Sequence, residues 1–156
     1  LTSVNDTLIR DSDGSMFVTV CYGILDLETG EVTYAKGGHP PPFVIGASSA
    51  SGVRHFDLAA NLVLGMVEKQ EYVTHRDRLQ PGDVLLVYSD GINEAANARG
   101  ELLSLDGVKA ALEQLTGPAA SAVTEHIVAA VKAFEGDAPQ ADDITVLAVQ
   151  WRGATV

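Results

Sequence analysis

Val84-Leu85-Leu86-Val87-Tyr88-Ser89-Asp90-Gly91 sets five consecutive apolar or aromatic residues directly ahead of a serine, an acid and a glycine. A continuous run of that kind predicts a strand buried on both faces, closed by a carboxylate. A charge held at the tip of a buried strand needs a partner, a set of donors or a metal. Near the C-terminus the order is reversed. Asp142-Asp143 stands directly before Ile144-Thr145-Val146-Leu147-Ala148-Val149-Gln150-Trp151, a second predicted core strand. If the two strands are antiparallel neighbours, Asp90, Asp142 and Asp143 gather at one sheet edge and outline a divalent-cation site.

The chain has 156 residues, enough for one domain with a real core and too few to expect two. With 21 acidic against 10 basic residues its formal net charge is −11. That balance repels phosphate backbones and anionic lipid, and no basic patch offsets it, so neither nucleic acid nor a membrane surface is an expected partner. Apolar runs are strand-length, far below the ~20 residues that span a bilayer. The lone Cys21, in an apolar run, reads as a small buried hydrophobe; with no second cysteine to pair, a reduced cytoplasmic setting is the expectation. The opening Leu1, already in helical periodicity, reads as the start of a fragment of a longer protein.

Leu1, Val4, Leu8 and Ile9 predict an amphipathic N-terminal helix, followed by a loop from Arg10 to Gly14. Asp11-Ser12-Asp13-Gly14 is not an EF-hand, because Met16 and Tyr22 stand where that loop needs its glycine and its glutamate. Met16 to Leu25 and Val32 to Ala35 predict a β-hairpin about Asp26 to Gly30. Gly37 to Pro42 is rigid irregular backbone. Phe43 to Ile45, Val53 to Leu58 and Tyr72 to Leu79 predict further strands. A small-residue turn covers Gly46 to Gly52, and a loop covers Asn61 to Met66. Ile92 to Leu103 has no clean period and reads as a flap. Ser104 is placed to cap a helix carrying Val108, Ala111, Leu112 and Leu115; Gly117-Pro118 ends it, and Pro118 suits the first turn of the next. That helix presents Val123, Ile127, Val131 and Phe134 and closes at Gly136. Strands followed by a helical pair and a last strand make an α+β layered fold.

Mg²⁺ and Mn²⁺ take oxygen ligands and keep several waters, so a few carboxylates suffice for them. Imidazole and thiolate, the zinc set, are not near these acids in sequence. Each feature also has a plainer reading. Asp90-Gly91 suits a type I′ hairpin turn, although no clear return strand follows. Asp142-Asp143 suits a solvated loop end, and His39 a structural loop histidine. A serine-hydrolase elbow fails, since Val87 replaces the first glycine of G-x-S-x-G and only His126, mid-helix, follows Ser89.

Taken in order, Met16-Phe17-Val18-Thr19, Gly38-His39-Pro40-Pro41-Pro42, Leu64-Gly65-Met66, Pro81-Gly82-Asp83, Tyr88-Ser89-Asp90-Gly91-Ile92-Asn93-Glu94-Ala95 and Asp142-Asp143-Ile144-Thr145 resemble one family. It is the bacterial sporulation stage II protein E family, a branch of the metal-dependent, protein phosphatase 2C-like Ser/Thr phosphatases. The resemblance runs over nearly the whole chain, from the first helix to Trp151. It implies a β-sandwich flanked by helices, with two Mg²⁺ or Mn²⁺ ions at one end of the sheets. Asp90 and Asp142 fall at ligand positions, Asp143 beside them, and His39 at the edge of the substrate site. The family's Ala-Asn-x-Gly-His is altered to Ala35-Lys36-Gly37-Gly38-His39. A Gly-Asp-x-x-Gly-like segment carrying further metal aspartates is absent, so the chain is expected to be the C-terminal major part of the domain, lacking its N-terminal strands.

The implied reaction is hydrolysis of a phosphoserine or phosphothreonine, with metal-activated water as nucleophile and no catalytic protein side chain. The implied substrate is a regulatory protein of the anti-anti-sigma type, with an upstream sensor or receiver domain controlling the activity. By itself the chain is expected to be inactive or weakly active. The alternative is a degenerate phosphatase-like domain that binds a signalling partner without catalysis.

Overall fold

The computed structural model describes residues 1–12, 16–47, 52–56, 61–115, 117 and 119–154. Expectations for Asp13-Gly14, the tip of the 46–52 turn, the end of the 53–58 strand and Pro118 lie outside these residues. Helix α1 (Thr2–Asp11) is followed by β1 (Val20–Leu25), β2 (Glu31–Gly37), β3 (Phe43–Ile45), β4 (Val53–His55), β5 (His75–Arg78) and β6 (Val84–Tyr88). Helices α2 (Ser104–Leu112) and α3 (Ala120–Glu135) then precede β7 (Val146–Gln150). Among the described residues the strands form two sheets by antiparallel ladders, β1-β2-β5 and β4-β3-β6-β7.

Strand periodicity explains the layering. Phe43 and Ile45 of β3 and Val84, Leu86 and Tyr88 of β6 point to one face, where they meet Val108, Ala111 and Leu112 of α2 and Val123, Ile127 and Val131 of α3. The opposite side of the four-stranded sheet turns Val44 and Leu85 toward Val32 and Tyr34 of β2, with Phe56, Leu79 and Trp151 completing a second core between the sheets. The arrangement is an α+β stack of sheet, sheet and helix pair.

Several elements differ from the sequence reading for local reasons. β6 is fully buried only at Val84, Leu86 and Tyr88; Leu85 and Val87, on the inter-sheet side, are half-buried. Met16 to Thr19 does not extend β1. It meets the fold by a bridge in which Val18 and Leu64 exchange two backbone hydrogen bonds of 2.9 Å. β5 is shorter than the predicted 72–79 strand. Ile92 to Leu103 is a chain of turns, yet Ile92 and Ala95 are fully buried and anchor it to the main core. Ser104 does not cap α2: it is the first helical residue, at φ +61°, and no side-chain hydrogen bond caps that helix. Cys21 is half-buried, in the cleft between the sheets. Among the described residues no helix is long and apolar enough to cross a membrane.

Leu86 is 0% exposed and sits where both helices meet the sheet. Leu86→Ala is expected to cost about 3 kcal/mol by leaving a cavity, and Leu85→Ala, half-buried beside it, clearly less. Urea unfolding of the two variants tests the order.

Candidate metal centre

Two antiparallel strands bring the acids together. β6 and β7 pair from Val84↔Gln150 to Tyr88↔Val146, so the residues following β6 lie beside those preceding β7. The pairing runs one step beyond the regular ladder, with Ser89 N–H donating to Thr145 O at 3.0 Å. Ser89 then fastens this end with its side chain. Its hydroxyl donates to Asp143 O at 2.9 Å and accepts from Thr145 N–H at 2.8 Å. Gly91 fits beneath the same segment: a Cβ there would fall 2.6 Å from Asp143 O and 3.3 Å from Asp142 O. Asp90, Asp142 and Asp143 are thus carried by neighbouring backbone at one end of the four-stranded sheet.

The two ends of β6 use their acids differently. Asp83, 3% exposed, accepts backbone N–H groups from Ala47 at 3.1 Å and Gln80 at 2.8 Å. Its carboxylate is committed to structure. Asp90, at the other end, is half-buried, and its carboxylate has no hydrogen-bond partner among the described residues. Asp142 and Asp143 are exposed on a concave polar surface that Gln140 and Ala141 complete. One Asp142 oxygen accepts the Asp143 N–H at 2.7 Å, and Gln140 Nε2 donates to Asp142 O at 2.7 Å, which fixes the turn.

His39 approaches the same end. Its Nδ1 lies 3.3 Å from Thr19 Oγ1, and it feels the charge of Asp90 and a hydrogen bond with the Tyr88 backbone. Burial pushes the imidazole below its ordinary value; Asp90 works against that, the nearby Lys36 charge with it, and the Tyr88 bond again against it. The Tyr88 hydroxyl, buried without a hydrogen-bond partner, is pushed above its ordinary range by the same loss of water.

These contacts leave no room for a serine nucleophile. The Ser89 hydroxyl is engaged with backbone, and His126 is bonded through Nε2 to Ala111 O at 2.9 Å. The Cys21 thiol is raised by burial, with the Lys36 charge opposing, and so is poorly ionised.

Residues 1–152 match the family described as Stage II sporulation protein E (SpoIIE). The chain belongs to the SpoIIE family. Among relatives, it is 27% identical over 148 residues to Protein IcfG of Synechocystis sp., covering 93% of this chain and 22% of that one. It is 32% identical over 103 residues to the phosphoserine phosphatase RsbU of Bacillus subtilis, covering 65% and 30% respectively. The chain therefore spans less than a third of either relative. Its fold matches that of the phosphatase domain of the cell fate determinant SpoIIE from Bacillus subtilis, Mn presoaked. That match has a TM-score of 0.68 at 20% identity, over 88% of this chain and 58% of that one.

Carboxylates suit the hard cations Mn²⁺ and Mg²⁺ in kind. In number they fall short: among the described residues no group of three or more His, Cys, Asp or Glu is arranged to hold a metal ion. The SpoIIE-family chain thus carries two acidic segments side by side at one end of the sheet, with His39 within reach of the Asp90 charge.

Sequence reasoning placed these acids at one sheet end and missed what holds them there. Ser89 as a staple and Gly91 as a point of close approach are tertiary facts. Asn5 carried a readable signal: it stands four residues from both Leu1 and Ile9, on the apolar face of α1, and it is completely buried.

Two outcomes follow. Gly91→Ala is expected to push Asp142-Asp143 away from β6, shifting the Thr145 and Ser89 amide resonances while those of β3 and β4 stay put. His39 has its folded pKa below the unfolded value of 6.5. Its neutral form therefore supports the fold above that pH, and the support is lost as pH falls from about 6.5 toward the folded pKa. His39→Gln should flatten that part of the stability profile in denaturant titrations.

Proposed function

We propose that this chain is the greater, C-terminal part of a metal-dependent protein phosphatase domain acting on phosphoserine or phosphothreonine. The observation that carries the reading is the adjacency of Asp90 to Asp142-Asp143 at the end of β6 and β7, in a chain of the SpoIIE family. RsbU is a phosphoserine phosphatase, and the matched SpoIIE domain was soaked with manganese. The substrate fitting this reading is a phosphorylated regulatory protein of the anti-anti-sigma type, with a sensor or receiver domain elsewhere in the parent chain governing turnover.

In this account Asp90 and Asp142 hold Mn²⁺ or Mg²⁺, Asp143 supports them, and further carboxylates come from outside these residues. A bound divalent cation supplies charge neutralisation for the phosphoryl group and an acidified water. The chain's own part is to fix its acids at one end of a rigid sheet, through the Ser89 staple and the Gly91 contact. His39, held by Thr19 and kept largely neutral at pH 7, offers a hydrogen bond at the edge of the phosphoryl site. With the Ser89 hydroxyl engaged by backbone, the step this reading implies is direct attack by water.

Calorimetric titration with Mn²⁺ should give a stoichiometry near zero or one for this chain and near two for an N-terminally extended version. The extended version should hydrolyse p-nitrophenyl phosphate with Mn²⁺, and Asp90→Ala should reduce that to background. An extended protein that is inert with Mn²⁺, and binds its partner equally well after Asp90→Ala, would instead be a binding module that has lost catalysis.

A further inference from the structure

Helix α1 is amphipathic, yet the residue it buries completely is an asparagine. Asn5 Oδ1 accepts the Gly65 N–H at 2.9 Å, and its Nδ2 donates to Val67 O at 2.9 Å and to Asp6 Oδ1 at 3.1 Å. The Tyr72 hydroxyl lies 3.3 Å from both Asn5 Oδ1 and Val63 O, and its single proton is shared between them. Both acceptor positions and both donors of the amide are used, which a buried amide requires. Around this hub, Asp6 Oδ1 accepts the Lys69 N–H at 2.8 Å and Thr2 Oγ1 donates to Gln70 O at 2.9 Å. Helix α1 is therefore seated on residues 63–70 by polar contacts, where an ordinary amphipathic helix would use apolar ones.

The segment beneath α1 is also what holds the backbone leading to His39. Gly38 N–H donates to Asn61 O at 2.9 Å. A Cβ at Gly38 would overlap Val63 Cγ1, and one at Gly37 would overlap Leu64 Cδ1 and fall 3.1 Å from Tyr72 Cε1. Both glycines are thus pressed flat against Val63, Leu64 and Tyr72, with Gly38 at φ +67°. From the other side, Leu64 pairs with Val18, and the next residue, Thr19, meets His39 Nδ1. Gly38, which precedes His39, and Val18, which precedes its partner Thr19, thus both rest on one segment, and Asn5 fixes that segment.

We infer that Asn5 is a positioning residue for His39: it locks residues 63–67 to α1, and these set both the Gly37-Gly38 backbone and the Thr19 contact that aim the imidazole at the Asp90 end of the sheet. Its use in holding a phosphoserine substrate rests on the function proposed above; the positioning itself does not. Loss of Asn5 acts on substrate capture through His39 and leaves the acids on β6 and β7 where they are.

The test is nuclear magnetic resonance of the 156-residue chain with Asn5→Ala, Tyr72→Phe and Thr2→Ala. Asn5→Ala is expected to move the Gly38 amide and His39 imidazole resonances and to speed Gly38 and Gly65 amide exchange about tenfold. The amides of β6 should keep their protection. Tyr72→Phe, which deletes only the shared hydroxyl, should move the same resonances by less, and Thr2→Ala should leave His39 in place. Gly65 responding while Gly38 and His39 stay still would overturn the inference, as would an unmoved His39 in Tyr72→Phe if Asn5→Ala unfolds β6. In the N-terminally extended protein, Asn5→Ala should raise KM for a phosphoserine peptide several-fold with kcat little changed. An unaltered KM in His39→Ala would remove the substrate role of His39 and leave the resonance result standing.

Discussion

Pairing of β6 with β7 is the constraint on which the candidate site depends. It sets Ser89 beside Asp143, 54 residues away in the chain, and with them the acids on either side. The burial of Leu86, Val84 and Tyr88 under α2 and α3 holds that pairing in place, each such side chain contributing roughly 1.5–3 kcal/mol.

Asp83 and Asp90 differ in what they meet. Both acids flank the same buried strand, one at each end. Backbone amides satisfy Asp83, so it closes a turn. Asp90 has no such donors; the next residue, Gly91, packs against the Asp142-Asp143 backbone, and His39 lies within reach of the Asp90 charge. The hydroxyl and thiol that might have offered covalent chemistry are spent or suppressed: Ser89 on the β6–β7 junction, Cys21 by its half-buried place between the sheets. What remains at this end is oxygen donors and an imidazole whose pKa burial lowers, the donor types that the proposed phosphatase reading calls for.

Much of this was legible in the sequence because it rests on local patterns. The run from Val84 to Tyr88 and the 3.6-residue spacing of Val123, Ile127 and Val131 announce a strand and a helix from their own residues. The acids at the strand tips come to one end of the sheet once antiparallel pairing is assumed. Less legible was anything decided by a distant neighbour. The two faces of β6 look alike in sequence, yet one meets helices and the other a second sheet, so Leu85 and Val87 are only half-buried. Met16 to Thr19 has strand composition but finds just Leu64 to pair with. Ser104 has the chemistry of a cap and instead begins the helix with a left-handed backbone, its N–H taken by Asn93 O. Asn5 broke the apolar face of α1 in plain view; its meaning needed the Gly65, Val67 and Tyr72 partners that only folding supplies.

The most direct test of the shared site is paramagnetic broadening by substoichiometric Mn²⁺ in amide spectra of this chain. The account predicts loss of signal centred on residues 89–92 and 141–145, reaching His39, with Gly82 and Trp151 at the far end of β6 and β7 still sharp. Broadening that spares Gly91 and Asp143 and centres on another part of the molecule would contradict it.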